Sequence, residues 1–185
     1  MMILIIGTPD SGKSVKAEEV TLTLSEDNKR IYLATMIPYG EEGIARIGRH
    51  KALREGKGFI TVERSGDIAD TPDADGCIAG IPASEATVLL ECTANLCANL
   101  LFDDTGNLTM YEDEAVKSVT EDIIALNNKV KNLIVVTNEF KHSDEHDNNT
   151  ISYINVMSDI NEILRTKADK IYDVTEGTWK IYEND

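Results

Sequence analysis

The sequence predicts an α/β fold with a mainly parallel central sheet. Three observations carry this. Residues 3–6, 88–90 and 133–136 are short runs of wholly apolar residues. Segments with helical periodicity alternate with them. A glycine-rich loop joins the first run to the helix after it. An apolar run without polar alternation suits a strand covered on both faces, the situation of a parallel sheet between helices.

The elements follow in order. Residues 3–6 form the first strand. Residues 15–24 read as a helix with apolar positions Val15, Ala17, Val20 and Leu24, and residues 30–35 as the second strand. A helix is expected over 41–54 and a short strand over 59–62. Residues 66–85 are rich in Asp, Gly, Ala and Pro and read as a connection holding a short helix near Ile68. Residues 88–90 make a buried strand closed by Glu91, followed by a helix over 94–102 and a turn at 103–107. Ala115, Val116, Val119, Ile123, Leu126 and Val130 mark a helix over 112–130. Residues 133–137 form the strongest strand, and residues 141–149 are polar and irregular. A helix over 151–165 turns Ile154, Met157, Ile160, Ile163 and Leu164 inward. Strands at 171–174 and 178–181 around Glu176-Gly177 end the series.

Composition narrows the function. Across 185 residues, 18 basic side chains face 33 acidic ones, a net charge of −15. That argues against nucleic-acid binding, which needs a basic surface to displace counterions, and against docking on anionic membranes. At 42% hydrophobic residues the composition is that of an ordinary globular chain. No apolar run approaches the length of a membrane span, and the first residues lack the basic region of a signal peptide. Three cysteines without CxxC spacing point to reduced thiols and a cytoplasmic setting.

Gly7, Thr8, Pro9, Asp10, Ser11, Gly12, Lys13 and Ser14 match G-x-x-x-x-G-K-[ST] between a buried strand and a helix. In such a P-loop the backbone N–H groups turn around phosphate oxygens, and the helix adds its positive end. Lys13 is placed to reach the β- and γ-phosphates and Ser14 to ligate magnesium. Asp10 works against this charge pattern. Glu91, at a strand end, stands where P-loop proteins keep the acid that holds magnesium or its water. Gly7, Thr35, Glu91, Asn138 and Glu139 all fall at strand C-termini, the edge where open α/β sheets gather ligands. Residues 1–185 read as one P-loop nucleotide-binding domain, with 66–86 a divergent connection.

Arg46, Arg49, Lys51 and Arg54 crowd into one helix of an acidic chain. Spacing by four sets Arg46, His50 and Arg54 in a row, with His50 between two guanidiniums. A neutral imidazole beside arginines that hold phosphate oxygens is a nucleophile towards phosphorus. The competing reading is a solvated basic face. His142 and His146 stand four apart, but their Asp/Asn-rich surroundings favour a solvated loop over a metal site. Met36, Met110 and Met157 read as packing residues, and Trp179 as core or a subunit contact.

Several of these segments resemble, in order, the bifunctional adenosylcobinamide kinase/adenosylcobinamide-phosphate guanylyltransferase family. They are residues 7–14, Tyr32-Leu33-Ala34-Thr35, Arg46-Ile47-Gly48-Arg49-His50-Lys51 and Thr61-Val62-Glu63. Further along come Leu89-Leu90-Glu91-Cys92, Asn99-Leu100-Leu101-Phe102, Val136-Thr137-Asn138-Glu139, and residues 161–167 followed by Ala168-Asp169. The resemblance implies a RecA-like P-loop fold and a homotrimer working in cobalamin assembly. It implies transfer of a γ-phosphoryl group from ATP or GTP to adenosylcobinamide. It also implies transfer of GMP from GTP to adenosylcobinamide phosphate through a histidine–GMP intermediate at His50. The nucleotide contacts it carries over are residues 7–14, Ala34, Thr35, Met36, Lys51, Ala52, Leu53, Arg54, Glu63 and Glu91. A carboxylate at Glu63 or Glu91 would select guanine by accepting its N1–H and N2–H₂. Two departures stand out: Asp10 replaces the arginine usual in the family's loop, and residues 140–146 replace a glycine-containing stretch. On the residues alone, a P-loop small-molecule kinase needing Lys13 and Ser14 but not His50 stays open, as does a non-catalytic nucleotide-binding relative.

Overall fold

The computed structural model describes residues 1–26 and 28–184. Strand β1 (Met2–Gly7) leads through a loop to helix α1 (Lys13–Leu24), and β2 (Arg30–Ala34) is followed by α2 (Gly40–Arg54) and β3 (Phe59–Glu63). A small hairpin, β4 (Cys77–Ile78) and β5 (Ile81–Pro82), precedes β6 (Thr87–Glu91), α3 (Thr93–Leu101) and α4 (Glu112–Asn127). The chain continues with β7 (Asn132–Asn138), α5 (Asn148–Lys167), β8 (Lys170–Asp173) and β9 (Lys180–Glu183). Seven strands form one sheet in the order β3-β2-β6-β7-β1-β8-β9. All neighbours are parallel except the β8–β9 edge pair. Mainly parallel α/β architecture is thus the observed one.

Every residue of β1 and β6 is buried. Successive strand side chains point to opposite faces, so this pattern requires cover on both sides. Helix α1 lies against β1, β6 and β7. Helices α3, α4 and α5 pack on one another, with α3 and α4 against β7 and α5 against β1. Leu4, Ile5 and Ile6 are wholly removed from solvent, and each such side chain contributes about 1.5–3 kcal/mol on burial. The strand that leads into the glycine-rich loop is therefore among the best anchored.

Two local devices hold the ends of the central strands. Asp169 accepts the Met2 N–H on its carboxylate at 2.6 Å and donates its own N–H to the Met2 carbonyl at 2.9 Å. The Ala168-Asp169 ending of α5 thereby fixes where β1 starts. Asn161, buried on α5, accepts from the Thr137 hydroxyl at 2.6 Å and donates to the Asn138 carbonyl at 2.9 Å. That pins α5 to the end of β7.

Val15 is half exposed, because α1 turns that position toward the loop side. Several sequence expectations need correction. Helix α4 stops at Asn127, three residues short of the expected end, and Val130 is buried beyond it. The last strand lies two residues later than expected, and Trp179, just before it, is 40% exposed rather than in the core. Residues 66–86 are indeed a connection, with a 3-10 turn at Ile68–Asp70. Its scattered apolar residues are nonetheless core: Ile68, Ile78, Ile81 and Ala83 are buried, and the Ile68 N–H is held by Asp122 of α4 at 3.1 Å. His142 and His146 precede α5, in a loop, so their spacing is not helical.

Candidate active site

The parallel strands end on one edge, with Gly7 paired to Asn138, Ala34 to Glu91 and Glu91 to Val136. The loop after β1 folds over this edge. Gly7 leaves no room for a side chain, since a Cβ would lie 2.5 Å from Cγ1 of Val174 and 2.7 Å from the Ser11 hydroxyl. Gly12 closes the loop with φ +84°, a conformation that favours glycine. No side chain caps α1, so its first-turn N–H groups lack intrahelical acceptors at the loop. The Lys13 ammonium donates to the Thr8 carbonyl and, at 3.3 Å, to the Ser11 hydroxyl. Burial holds its pKa below the ordinary lysine value, although the nearby carboxylates of Asp10 and Glu91 act against that.

The Ser14 hydroxyl donates to Oε1 of Glu91. Glu91 is 8% exposed, and its other oxygen accepts the Tyr32 hydroxyl at 3.2 Å. Nδ1 of His50 approaches Oε1 from α2, at 3.6 Å. The carboxylate at the end of β6 therefore joins the loop, the helix bearing His50 and the floor of β2.

Two of the spaces on this edge border His50. A cleft of about 550 Å³ runs along the loop, lined by residues 9–14 together with Arg46, Arg49, His50, Leu53 and Glu91. A second pocket, of about 300 Å³, lies between α2 and the ends of β2 and β3. Its walls include Ala34, Met36, Lys51, Arg54 and Glu63. Arg46, His50, Glu91, Cys92 and Asn95 border both. His50 thus sits in the partition between a loop built for phosphates and a half-apolar pocket.

The expected residues separate on this geometry. Pro9, Asp10, Ser11, Gly12, Lys13, Ser14 and Leu53 border the cleft, and Ala34, Met36, Lys51, Arg54 and Glu63 the pocket. Gly7, Thr8, Thr35 and Ala52 border neither. Gly7 and Thr8 support the loop from below, whereas Ala52 is exposed at a shallow recess near the end of α2. Thr35 is wholly buried: its hydroxyl donates to the Cys92 carbonyl and accepts the Cys92 N–H, both at 2.8 Å. That hydroxyl fastens β2 to the start of α3.

Arg46, His50 and Arg54 of α2 all line the pocket, and two of them make contacts that spacing does not specify. Arg54 is 7% exposed, with its guanidinium 3.3 Å above the centre of the Tyr32 ring. Nδ1 of His50 faces the Glu91 carboxylate, a partner that the spacing does not supply. Helical spacing orders residues along a face, but the neighbouring strand decides which of them turns in.

Cys92 and Asn95, at the start of α3, and Phe140 and Tyr153, on the far wall of the cleft, were not foreseen as lining residues. The position of Cys92 directly after a strand-terminal acid is the signal that points to it. Burial pushes its thiol up, so it lines the partition as a small neutral group. Phe140 and Tyr153 pack ring to ring at 5.4 Å, and the Tyr153 hydroxyl donates to the Ala94 carbonyl at 3.1 Å.

Comparisons with known proteins identify the chain's relatives. The chain is 28% identical over 96% of its length to the bifunctional adenosylcobalamin biosynthesis protein CobU of Escherichia coli (strain K12), of which 97% is covered. It is also 28% identical, with the same coverage of both chains, to the protein of that name from Salmonella typhimurium (strain LT2). Among solved structures, the ATPase domain of G40P superposes with a TM-score of 0.53 at 10% identity, over 93% of this chain and 68% of that one. That likeness shows a shared ATPase-domain fold. The family model described as cobinamide kinase / cobinamide phosphate guanyltransferase matches residues 3–180. With nearly its whole length matched, the chain belongs to the cobinamide kinase / cobinamide phosphate guanyltransferase family.

Proposed function

We propose that this chain performs both reactions of its family and that His50 carries the guanylyl group between them. In the first reaction a γ-phosphoryl group passes from ATP or GTP to the hydroxyl of adenosylcobinamide. In the second, a ring nitrogen of His50 attacks the α-phosphorus of GTP, and the bond to the leaving pyrophosphate breaks as the P–N bond forms. An oxygen of adenosylcobinamide phosphate then attacks the same phosphorus and releases the imidazole. Splitting one displacement into two in-line steps is what a covalent nucleophile contributes.

One observation supports this reading above the others. Oε1 of Glu91 receives the hydroxyl of the P-loop serine and faces the imidazole of His50, so phosphate cradle and nucleophile share a partner. Lys13, Arg46, Arg49 and Lys51 offset negative charge on the phosphates and the leaving group. The half-apolar pocket beyond His50 suits a nucleobase. Glu63 at that pocket is exposed, with Lys51 4.0 Å away, and is free to accept guanine N1–H and N2–H₂. Glu91 is already engaged by Ser14, Tyr32 and His50, which favours Glu63 for guanine selection in this reading. Ser14 and Glu91 offer adjacent hard oxygens, as magnesium requires, and would hold it. Bound there, the ion would neutralise phosphate charge. A cytoplasmic homotrimer belongs to the same reading. Exposed Ile44 and Leu53 on α2 and Ile60 on β3 are apolar surface that an assembly would cover.

The test is incubation with magnesium and GTP labelled at the α-phosphate. Acid-labile label is expected on the wild-type protein, removed by added pyrophosphate and absent from His50→Ala. Label persisting in His50→Ala would falsify the histidine assignment. Phosphoryl transfer from ATP without any protein label would leave a kinase only.

A further inference from the structure

Tyr32 belongs to neither reacting group, yet it holds a part of each. It lies in the middle of β2, 4% exposed, at the floor of the pocket. Its hydroxyl donates to Oε2 of Glu91 at 3.2 Å, and its ring lies under the Arg54 guanidinium at 3.3 Å.

The two contacts do different work. A carboxylate on a glutamate stem rotates about its last torsion, whose well is broad. Anchoring Oε2 from β2 sets the plane of the group and directs Oε1 to Ser14 and His50. Arg54 has a buried Nη1 with no hydrogen-bond partner. A buried guanidinium is costly unless compensated, and the face of the Tyr32 ring supplies that compensation. Without the ring, the guanidinium has no reason to remain in the pocket wall.

Resting on the two-reaction reading above, we infer that Tyr32 is a positioning residue for both chemistries: its hydroxyl aims Glu91 at Ser14 and His50, and its ring seats Arg54 beside the nucleotide. No atom of Tyr32 needs to touch a phosphate for this.

The experiment compares Tyr32→Phe and Tyr32→Leu with wild type by single-turnover guanylylation from α-labelled GTP. Steady-state phosphoryl transfer, binding of a fluorescent GTP analogue and thermal melting accompany it. Tyr32→Phe keeps the ring and loses the hydroxyl. It is expected to slow guanylylation and phosphoryl transfer at saturating nucleotide by about tenfold, as loss of a supporting hydrogen bond typically does, with analogue affinity unchanged. Tyr32→Leu also removes the ring and is expected to weaken analogue binding by about tenfold. Wild-type rates in Tyr32→Phe would overturn the hydroxyl's role. Equal analogue affinity in both variants would overturn the ring's role. Losses of rate and affinity that only track a lowered melting temperature would reduce Tyr32 to packing. A wild-type protein that takes no label would sink the reading of His50 instead. In that case phosphoryl transfer in Tyr32→Phe and analogue binding in Tyr32→Leu still decide the hydroxyl and the ring.

Discussion

Nδ1 of His50 lies 3.6 Å from Oε1 of Glu91, the oxygen that accepts the Ser14 hydroxyl. Residues 14, 50 and 91 come from the first helix, the second helix and the third strand of the sheet order, and they converge on one atom. A carboxylate buried to this degree must be compensated. Two hydroxyls compensate it, and the imidazole is drawn to the same place. The predictions that follow test what this convergence does and what holds it.

Lys13 serves a single loop, and that loop borders the space shared with His50. Lys13→Ala is therefore expected to slow both half-reactions, each by about 10²-fold or more, the scale of losing one preorganised charge contact. Single-turnover guanylylation and steady-state phosphoryl transfer measure it. Guanylylation at the wild-type rate would mean that the two reactions do not share the cradle.

Asp10 is exposed, borders the cleft and has φ 58°, in the left-handed region. Its charge opposes a polyphosphate, and at water-like screening such a repulsion is worth about 1 kcal/mol. Asp10→Asn keeps the tolerance for left-handed backbone. Titration calorimetry should show GTP binding about fivefold tighter at low salt, with the gain fading as salt rises. Unchanged affinity at low salt contradicts this.

Gly7 is the close-packed point under the loop. In Gly7→Ala the new methyl group meets Cγ1 of Val174 at 2.5 Å and the Ser11 hydroxyl at 2.7 Å. Overpacking of this kind costs about 1–3 kcal/mol. A melting temperature several degrees lower is expected, along with weaker nucleotide binding because Ser11 must move. A wild-type melting curve would show that the loop can give way without cost.

Asp173 links stability to pH. Burial pushes its carboxyl pKa up, but hydrogen bonds from the Thr175 N–H and hydroxyl and from Arg165 outweigh that and hold it below the ordinary value. A depressed folded-state pKa contributes stability that is present above the ordinary carboxylate range and lost as pH falls through the folded value. Asp173→Asn should cost about 1–3 kcal/mol at neutral pH, the range for hydrogen bonds to a charged group. In urea unfolding, the gap between variant and wild type should narrow below about pH 4. A gap that stays constant through acid would show that the carboxylate's charge is not what matters.

Much of the architecture was legible because parallel strands leave a local signature. Residues 3–6, 88–90 and 133–136 carry no polar alternation, and each proved to be a central strand. The glycine-rich loop was legible for a related reason: its glycines, lysine and serine fall within eight consecutive residues. Where apolar residues were sparse, as in residues 66–86, no period existed to read, yet Ile68, Ile78, Ile81, Ala83 and Ala86 all belong to the core.

The chain's own pattern determined that a basic helix bears His50 and that Glu91 closes a buried strand. It did not determine that the Arg54 guanidinium lies on the Tyr32 ring, or that His50 meets the Glu91 carboxylate. Nor did it assign the Thr35 hydroxyl to the backbone of Cys92. Those outcomes depend on residues distant in sequence, brought together by the ordering of β2 beside β6. Periodicity specifies which face of an element is apolar, whereas the compensation of a buried charge is settled by whichever neighbour the fold sets against it.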